Sequence, residues 1–214
     1  MGVPHIKDES QRQRTTTKGD ERASAILNAA EAQLTAGGYD SITIASLTGA
    51  VGLTRAAFYF YFANKAEVIA TLVARTVSAL HTSIDELRGS DDDRPMDTIR
   101  ELLQRTKQMW LEHGPVMRAA VDLSPTVPEV DASWRSAADA VTVTTAHLLR
   151  GAGLPDTPRP DGAAALARAL VLMSERSFYH ASAGGAAELD DAAATAEIVW
   201  SLVFQGSKPG AGAA

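Results

Sequence analysis

"TRAAFYFYFANK", residues 54–65, sets five aromatic side chains in a row: Phe58, Tyr59, Phe60, Tyr61 and Phe62. They make up five of the twelve Phe, Tyr and Trp residues of the chain, so the run has a purpose. Its apolar character suggests a strand, whereas the flanking alanines and Lys65 suit a helix. The neighbours decide between the two. Gly52 permits a tight turn just before the run, Thr54 is a natural helix cap, and Lys65 opens the next helical pattern. Phe58 and Phe62 then lie four apart and share an inward face, while Arg55 and Tyr59 share a neighbouring outward one.

Upstream, Thr43 can cap a short helix holding Ile44, Leu47 and Val51. Before it, Ala23, Ile26, Leu27, Ala30 and Leu34 recur at three and four residues until Gly37–Gly38 stop them. Short helix, glycine turn and short helix over 43–62 predict a helix-turn-helix, with Leu47, Val51 and Leu53 burying the contact. The second helix of such a unit lays its N-terminal residues against base edges in the major groove. Tyr59, Tyr61 and Lys65 are then placed to bond phosphates.

Downstream the patterning stays helical. A long amphipathic stretch runs from about 64 to 87, using Val68, Ile69, Leu72, Val73, Val77, Leu80, Ile84 and Leu87. "RGSDDDRP" (88–95) reads as a loop. Helical patterns resume over 96–113, break at Gly114–Pro115 and again across "SPTVPE" (124–129), and continue over 130–150. A Pro- and Gly-rich loop (151–162) precedes two final helices, at 163–183 and 190–205. The fold class predicted is all-α, with about nine helices. Its organisation is a disordered basic arm (1–19), a helix-turn-helix domain (20–65), a helical body (66–206), to which the family resemblance described below assigns ligand binding and dimerisation, and a disordered tail (207–214).

Net charge is −6, which taken alone disfavours nucleic acid. The charge is uneven, however. Residues 1–65 hold seven Lys/Arg against six Asp/Glu, net +1, which leaves −7 on the remainder. A near-neutral head on an acidic body permits DNA binding if the head docks alone. No cysteine is present, which excludes disulfides and thiolate metal sites and fits a reducing cytoplasm. The polar N-terminal stretch has no signal-peptide core and no segment is long and apolar enough to span a membrane, so a cytoplasmic protein without a membrane partner is expected.

"SITIASLTGAVGLTRAAFYFYFANKAEVI" (41–69) resembles the DNA-binding signature of the TetR family of bacterial transcriptional regulators. Gly52, Tyr59, Phe62 and Lys65 stand at its spaced positions. The resemblance implies an all-α homodimer that binds double-stranded operator DNA and carries a variable C-terminal ligand pocket. The DNA-facing residues it implies are Thr43, Thr54, Arg55, Ala56, Ala57, Tyr59, Tyr61 and Lys65. "LMSERSFYHASAGG" (172–185), together with Trp200 and Gly206, is similar to a narrower group within that family. Its members repress a neighbouring monooxygenase gene and hold lipophilic molecules in a long apolar tunnel. That similarity nominates Met109, Trp134, Phe178, Tyr179 and Trp200 as pocket lining; pockets also carry a few polar groups, which Thr145 or Ser174 can supply. Ser174 stands where the group's pattern has Asn. Gly49 and Phe60 also depart from the family norm.

The last two helices carry more apolar surface than one packed face requires, in "AALARALVLM" and "AEIVWSLVF", and are the expected dimer interface. Phe204 suits either the core or that interface. Metal and cofactor sites are not expected: Asp91–Asp93 form a solvated run, and His5, His81, His113, His147 and His180 show no metal spacing. Glu175–Arg176 reads as a buried pair at a helix interface. A helical carrier or enzyme is the competing class, but no nucleophile–base–acid set is present. Within the family, a multidrug-efflux regulator or an activator competes with a repressor.

Overall fold

Capping chemistry delimits the first helices of the computed structural model, which describes residues 18–88 and 95–206. Most of the expected basic arm, the Asp91–Asp93 run and the tail lie outside those residues. Helix α1 (Lys18–Gly37) buries Ile26, Leu27, Ala30 and Leu34, and a 3-10 turn (Tyr39–Ser41) follows it. Thr43 caps α2 (Ile44–Val51) reciprocally. The Ser46 N–H donates to Thr43 Oγ1 at 3.0 Å, and the Thr43 N–H donates to Ser46 Oγ at 3.0 Å. Ser46 Oγ also lies 2.7 Å from Gln33 Oε1, tying α2 to α1.

Gly52 ends α2 in the left-handed region, at φ 65° and ψ 31°. Thr54 then caps α3 (Arg55–Phe58), its Oγ1 accepting the Ala57 N–H at 3.1 Å. The regular helix stops short of residue 62, where the predicted helix-turn-helix ends. Past Phe58 the chain tightens, because the Phe58 carbonyl accepts from both Tyr61 (2.9 Å) and Phe62 (3.1 Å). That turn returns Phe62 to the core already holding Phe58. Asn64 and Glu67 cap α4 (Lys65–Arg88): Asn64 Oδ1 accepts the Glu67 N–H at 2.8 Å, and Glu67 Oε2 accepts the Ala63 N–H at 2.6 Å.

The remaining elements are α5 (Pro95–Leu123), α6 (Pro128–Gly151), α7 (Ala163–Ala181) and α8 (Ala186–Gly206). The described residues thus form eight α-helices and one 3-10 turn, with no strand. The difference from nine lies at Gly114–Pro115, where the expected break is only a kink. His113 leaves helical geometry (φ −121°, ψ 26°) and the helix resumes through Pro115. Pro115 lacks the N–H that would reach residue 111 and its ring crowds that carbonyl, so α5 bends there.

Apolar side chains bury into two clusters. The body core gathers Ile99, Leu103, Trp110, Met117, Leu149, Leu170, Phe178, Leu189, Trp200 and Phe204 from α5 to α8. Phe204 therefore packs within the subunit, only 6% exposed. The N-terminal core joins Ile26, Leu34, Ile42, Leu47, Phe58, Phe62, Val68, Ile69 and Leu72. It borrows Val116, Ala119 and Ala120 from α5, and Val130 from α6.

Gly49 within α2 and Gly52 just after it make opposite predictions. At Gly49 an added Cβ meets nothing within 4 Å, and the residue sits inside the helix with ordinary φ. Gly49→Ala should stabilise the fold by about 0.5–1 kcal/mol. Gly52→Ala must hold a side chain at positive φ and should cost about 1–2 kcal/mol. Denaturant unfolding of both variants checks the signs, which must differ.

Candidate DNA-binding face and body cavity

One end of the N-terminal unit is left open to solvent. Thr43, Thr54, Arg55, Ala56 and Tyr59 are exposed, while Ala57, Tyr61 and Lys65 are half-buried. Phe58 is fully buried and its ring meets Tyr59 edge-on, with centroids 5.6 Å apart. This contact props Tyr59 outward. Arg55 Nε and Nη2 each lie 3.4 Å from the Tyr59 hydroxyl, a loose pairing that keeps both groups on the outer face. Both threonine oxygens are engaged as helix caps.

Lys65 is held more firmly than a surface lysine. Its Nζ donates to the carbonyls of Ile42 (3.1 Å) and Tyr39 (3.3 Å) and lies 4.0 Å from the Tyr39 ring centre. The ammonium thereby clamps the start of α4 to the turn before α2. Tyr61 packs partly against the N-terminal core. Phe60, whose place the sequence leaves open, is 87% exposed beside Tyr59.

In the body, residues of α4 to α8 line a partly open apolar cavity of about 80 Å³. Met109, Trp134, Ser174 and Trp200 line it, as the sequence suggests. Thr145, Phe178 and Tyr179 do not. Thr145 is fully buried on α6 with its hydroxyl unpartnered, and Phe178 is consumed by the body core. Tyr179 reaches the surface instead. Its hydroxyl donates to Asp122 at 2.5 Å, and Arg118 and Arg176 stack over its ring. That hydrogen bond, reinforced by burial, holds the phenol above its ordinary pKa.

Sequence reasoning missed most of the wall: Leu102, Thr106, Trp110, Ala137, Ala138, Val141, Val171 and Glu175 among others. A signal existed. Trp134, Ala137, Ala138 and Val141 repeat at helical spacing on α6, as Val171, Ser174 and Glu175 do on α7, where polar residues interrupt an apolar face. The polar groups are few. Ser174 Oγ accepts the Trp200 indole N–H at 3.1 Å, a fully buried bond, and the Thr106 hydroxyl donates to the Leu102 carbonyl at 2.8 Å.

Glu175 differs from the sequence expectation. Its partner Arg176 is not buried: the guanidinium side chain is 58% exposed and only 4.0 Å from a carboxylate that is itself 15% exposed. Burial pushes the Glu175 carboxyl up from its ordinary range, and Arg176 and the Trp134 indole N–H pull it only part of the way back. Behind Trp134 and Glu175 lies a second hollow of about 370 Å³, an outer groove edged by Arg135, Asp139, Arg168 and Arg176. Trp134, Ala138, Val171 and Glu175 border both spaces.

An open helix-turn-helix face on a helical body with an internal apolar cavity defines a DNA-binding regulator. The comparisons place it. Residues 26–72 match the model for "Bacterial regulatory proteins, tetR family". The HTH-type transcriptional regulator EthR of Mycobacterium tuberculosis is 33% identical over 176 residues, 78% of each chain. EthR of Mycolicibacterium smegmatis is 30% identical over 171 residues, 77% of this chain and 76% of its own. A putative TetR-family regulator from Syntrophomonas wolfei superposes with a TM-score of 0.73 at 14% identity, over 90% of this chain and 99% of its own. The chain belongs to the tetR family of bacterial regulatory proteins and is a DNA-binding transcriptional regulator, not an enzyme. No helix among the described residues is long and apolar enough to cross a membrane, and no group of His, Asp and Glu among them can hold a metal.

Two predictions follow from the cavity wall. Ser174→Ala strands a buried indole N–H and should destabilise by about 1–3 kcal/mol in denaturant unfolding. Glu175, with its pKa raised in the folded state, binds its proton more tightly there than in the unfolded chain. Its charge therefore opposes folding above the folded pKa, and stability rises as pH falls through that value. Glu175→Gln should unfold later than wild type at neutral pH, and the gap should narrow on acidification.

Proposed function

We propose that this protein is a repressor that binds a pseudo-palindromic operator as a homodimer and leaves it when a lipophilic small molecule fills the body cavity. What carries the reading is the position of Trp134. Its ring lines the cavity and packs against both the body core and the N-terminal core. Occupying the cavity therefore bears on a side chain that also supports the helix-turn-helix. An effector can shift DNA affinity only by binding one geometry more tightly, and near-complete release needs a preference of about 10⁴-fold.

On DNA, Arg55 reads a base edge or a phosphate and Tyr59 bonds the backbone, with Thr43, Thr54, Ala56, Ala57 and Tyr61 at the contact. Lys65 presents whatever donor capacity its two carbonyls leave and otherwise fixes the docking angle. Phe60 offers an apolar contact to a thymine methyl or a sugar. The dimer is supported by Leu172 on α7 (49% exposed) and by Ile198 and Leu202 on α8 (62% and 61%), large aliphatic groups that nothing within the subunit covers. Two-fold pairing there sets two recognition helices on successive half-sites, about one DNA turn or a multiple apart.

A gel-shift with the DNA upstream of its own gene should show salt-sensitive binding. Arg55→Ala combined with Tyr59→Phe should abolish it, and unchanged affinity removes both residues from the interface. In solution the native mass should be that of two chains, and Ile198→Asp with Leu202→Asp should reduce it to one. A wild-type protein of single-chain mass overturns the dimer.

A further inference from the structure

We infer that the effector of the body cavity is an amphiphile with a basic nitrogen, its apolar part inside the cavity and its ammonium paired with Glu175. The inference rests on the ligand-responsive reading above and names the chemistry of that same site. The wall is almost wholly apolar, and among the described residues that line it Glu175 carries the sole charge. An anionic amphiphile would bring a second negative charge beside a carboxylate that burial already strains. A neutral one can give that carboxylate a hydrogen bond but no countercharge. A cation completes what Arg176, 58% exposed and 4.0 Å away, and the Trp134 indole N–H supply only in part.

Position reinforces charge. Glu175 and Trp134 border both the internal cavity and the outer groove, so a nitrogen held at Glu175 sits where the two spaces meet. The apolar tail then points inward, among Leu102, Met109 and Val141. The Thr106 hydroxyl has given its hydrogen to a backbone carbonyl and can only accept. The Ser174 oxygen takes the Trp200 indole N–H, and its own hydroxyl hydrogen remains a donor. The cavity therefore offers acceptors at Glu175 and Thr106, one hydroxyl donor at Ser174, and hydrocarbon elsewhere.

The test uses the full-length protein with n-butylamine, butan-1-ol and sodium butyrate, whose short tails suit so small a cavity, at pH 7, titrated by calorimetry. Wild type should bind the amine at least ten-fold more tightly than the alcohol, and the butyrate most weakly. In Glu175→Gln the amine should fall to the level of the alcohol. Ala138→Trp, which fills the cavity, should bind none of the three. Equal affinities in wild type, or an amine preference that survives Glu175→Gln, overturn the inference while leaving the cavity reading intact. Binding undiminished in Ala138→Trp overturns the location. A final arm adds n-butylamine to the protein–DNA complex: release supports both readings, whereas saturating amine binding without release overturns the release reading alone.

Discussion

Past the kink at His113, helix α5 is buried on two sides at once. Met117 and Val121 face the body core, while Val116, Ala119 and Ala120, interleaved with them, face the N-terminal core. Neither core can be completed without this segment. The N-terminal helices are too few to bury their apolar faces alone, and small domains need such support. The kink is what makes the arrangement possible, because it re-aims the end of α5 between α1 and the body without ending the helix. A side contact strengthens the junction: His113 Nδ1 lies 2.6 Å from Glu31 Oε1 on α1, and Glu31 is also paired with Arg75 of α4 at 3.2 Å.

That constraint explains what the sequence revealed and what it hid. The helix-turn-helix was legible because its determinants are local. Thr43, Gly52 and Thr54 act within four residues of themselves, and the Phe58–Phe62 spacing declares its own face. The class of fold was legible for the same reason, since helical periodicity is a near-neighbour property. The continuity of α5 was not. A Gly-Pro pair signals a break, and only packing on both sides keeps the helix going through it.

The cavity was the least legible feature, again for a physical reason. A large apolar residue looks the same in sequence whether it fills a core or borders a void. Phe178 and Trp200 illustrate this: both are fully buried, yet only Trp200 lines the cavity. The distinction depends on what stands opposite, and here Ala137 and Ala138 leave space that larger residues would close. Glu175 carried more information than any aromatic. A carboxyl on an apolar helical face is costly, and such a cost persists where it has a use. Its adjacent arginine masked it, since neighbours in sequence on a helix point in different directions.

Sharing α5 and α6 between two cores gives the proposed coupling a path, and linkage makes any such coupling reciprocal. If filling the cavity weakens operator binding by a given factor, operator binding must weaken the effector by the same factor. Allosteric couplings of about 1–3 kcal/mol are usual, and one site of that strength falls short of the roughly 5.5 kcal/mol that inverts a two-state population. In the proposed dimer two cavities would act on one pair of rigidly related recognition helices, so two such couplings would combine to about 2–6 kcal/mol, which reaches that value at the strong end. The exposed Ile198 and Leu202 are thus as much a part of the proposed switch as the cavity, because a monomer would have neither paired half-site contacts nor doubled effector leverage.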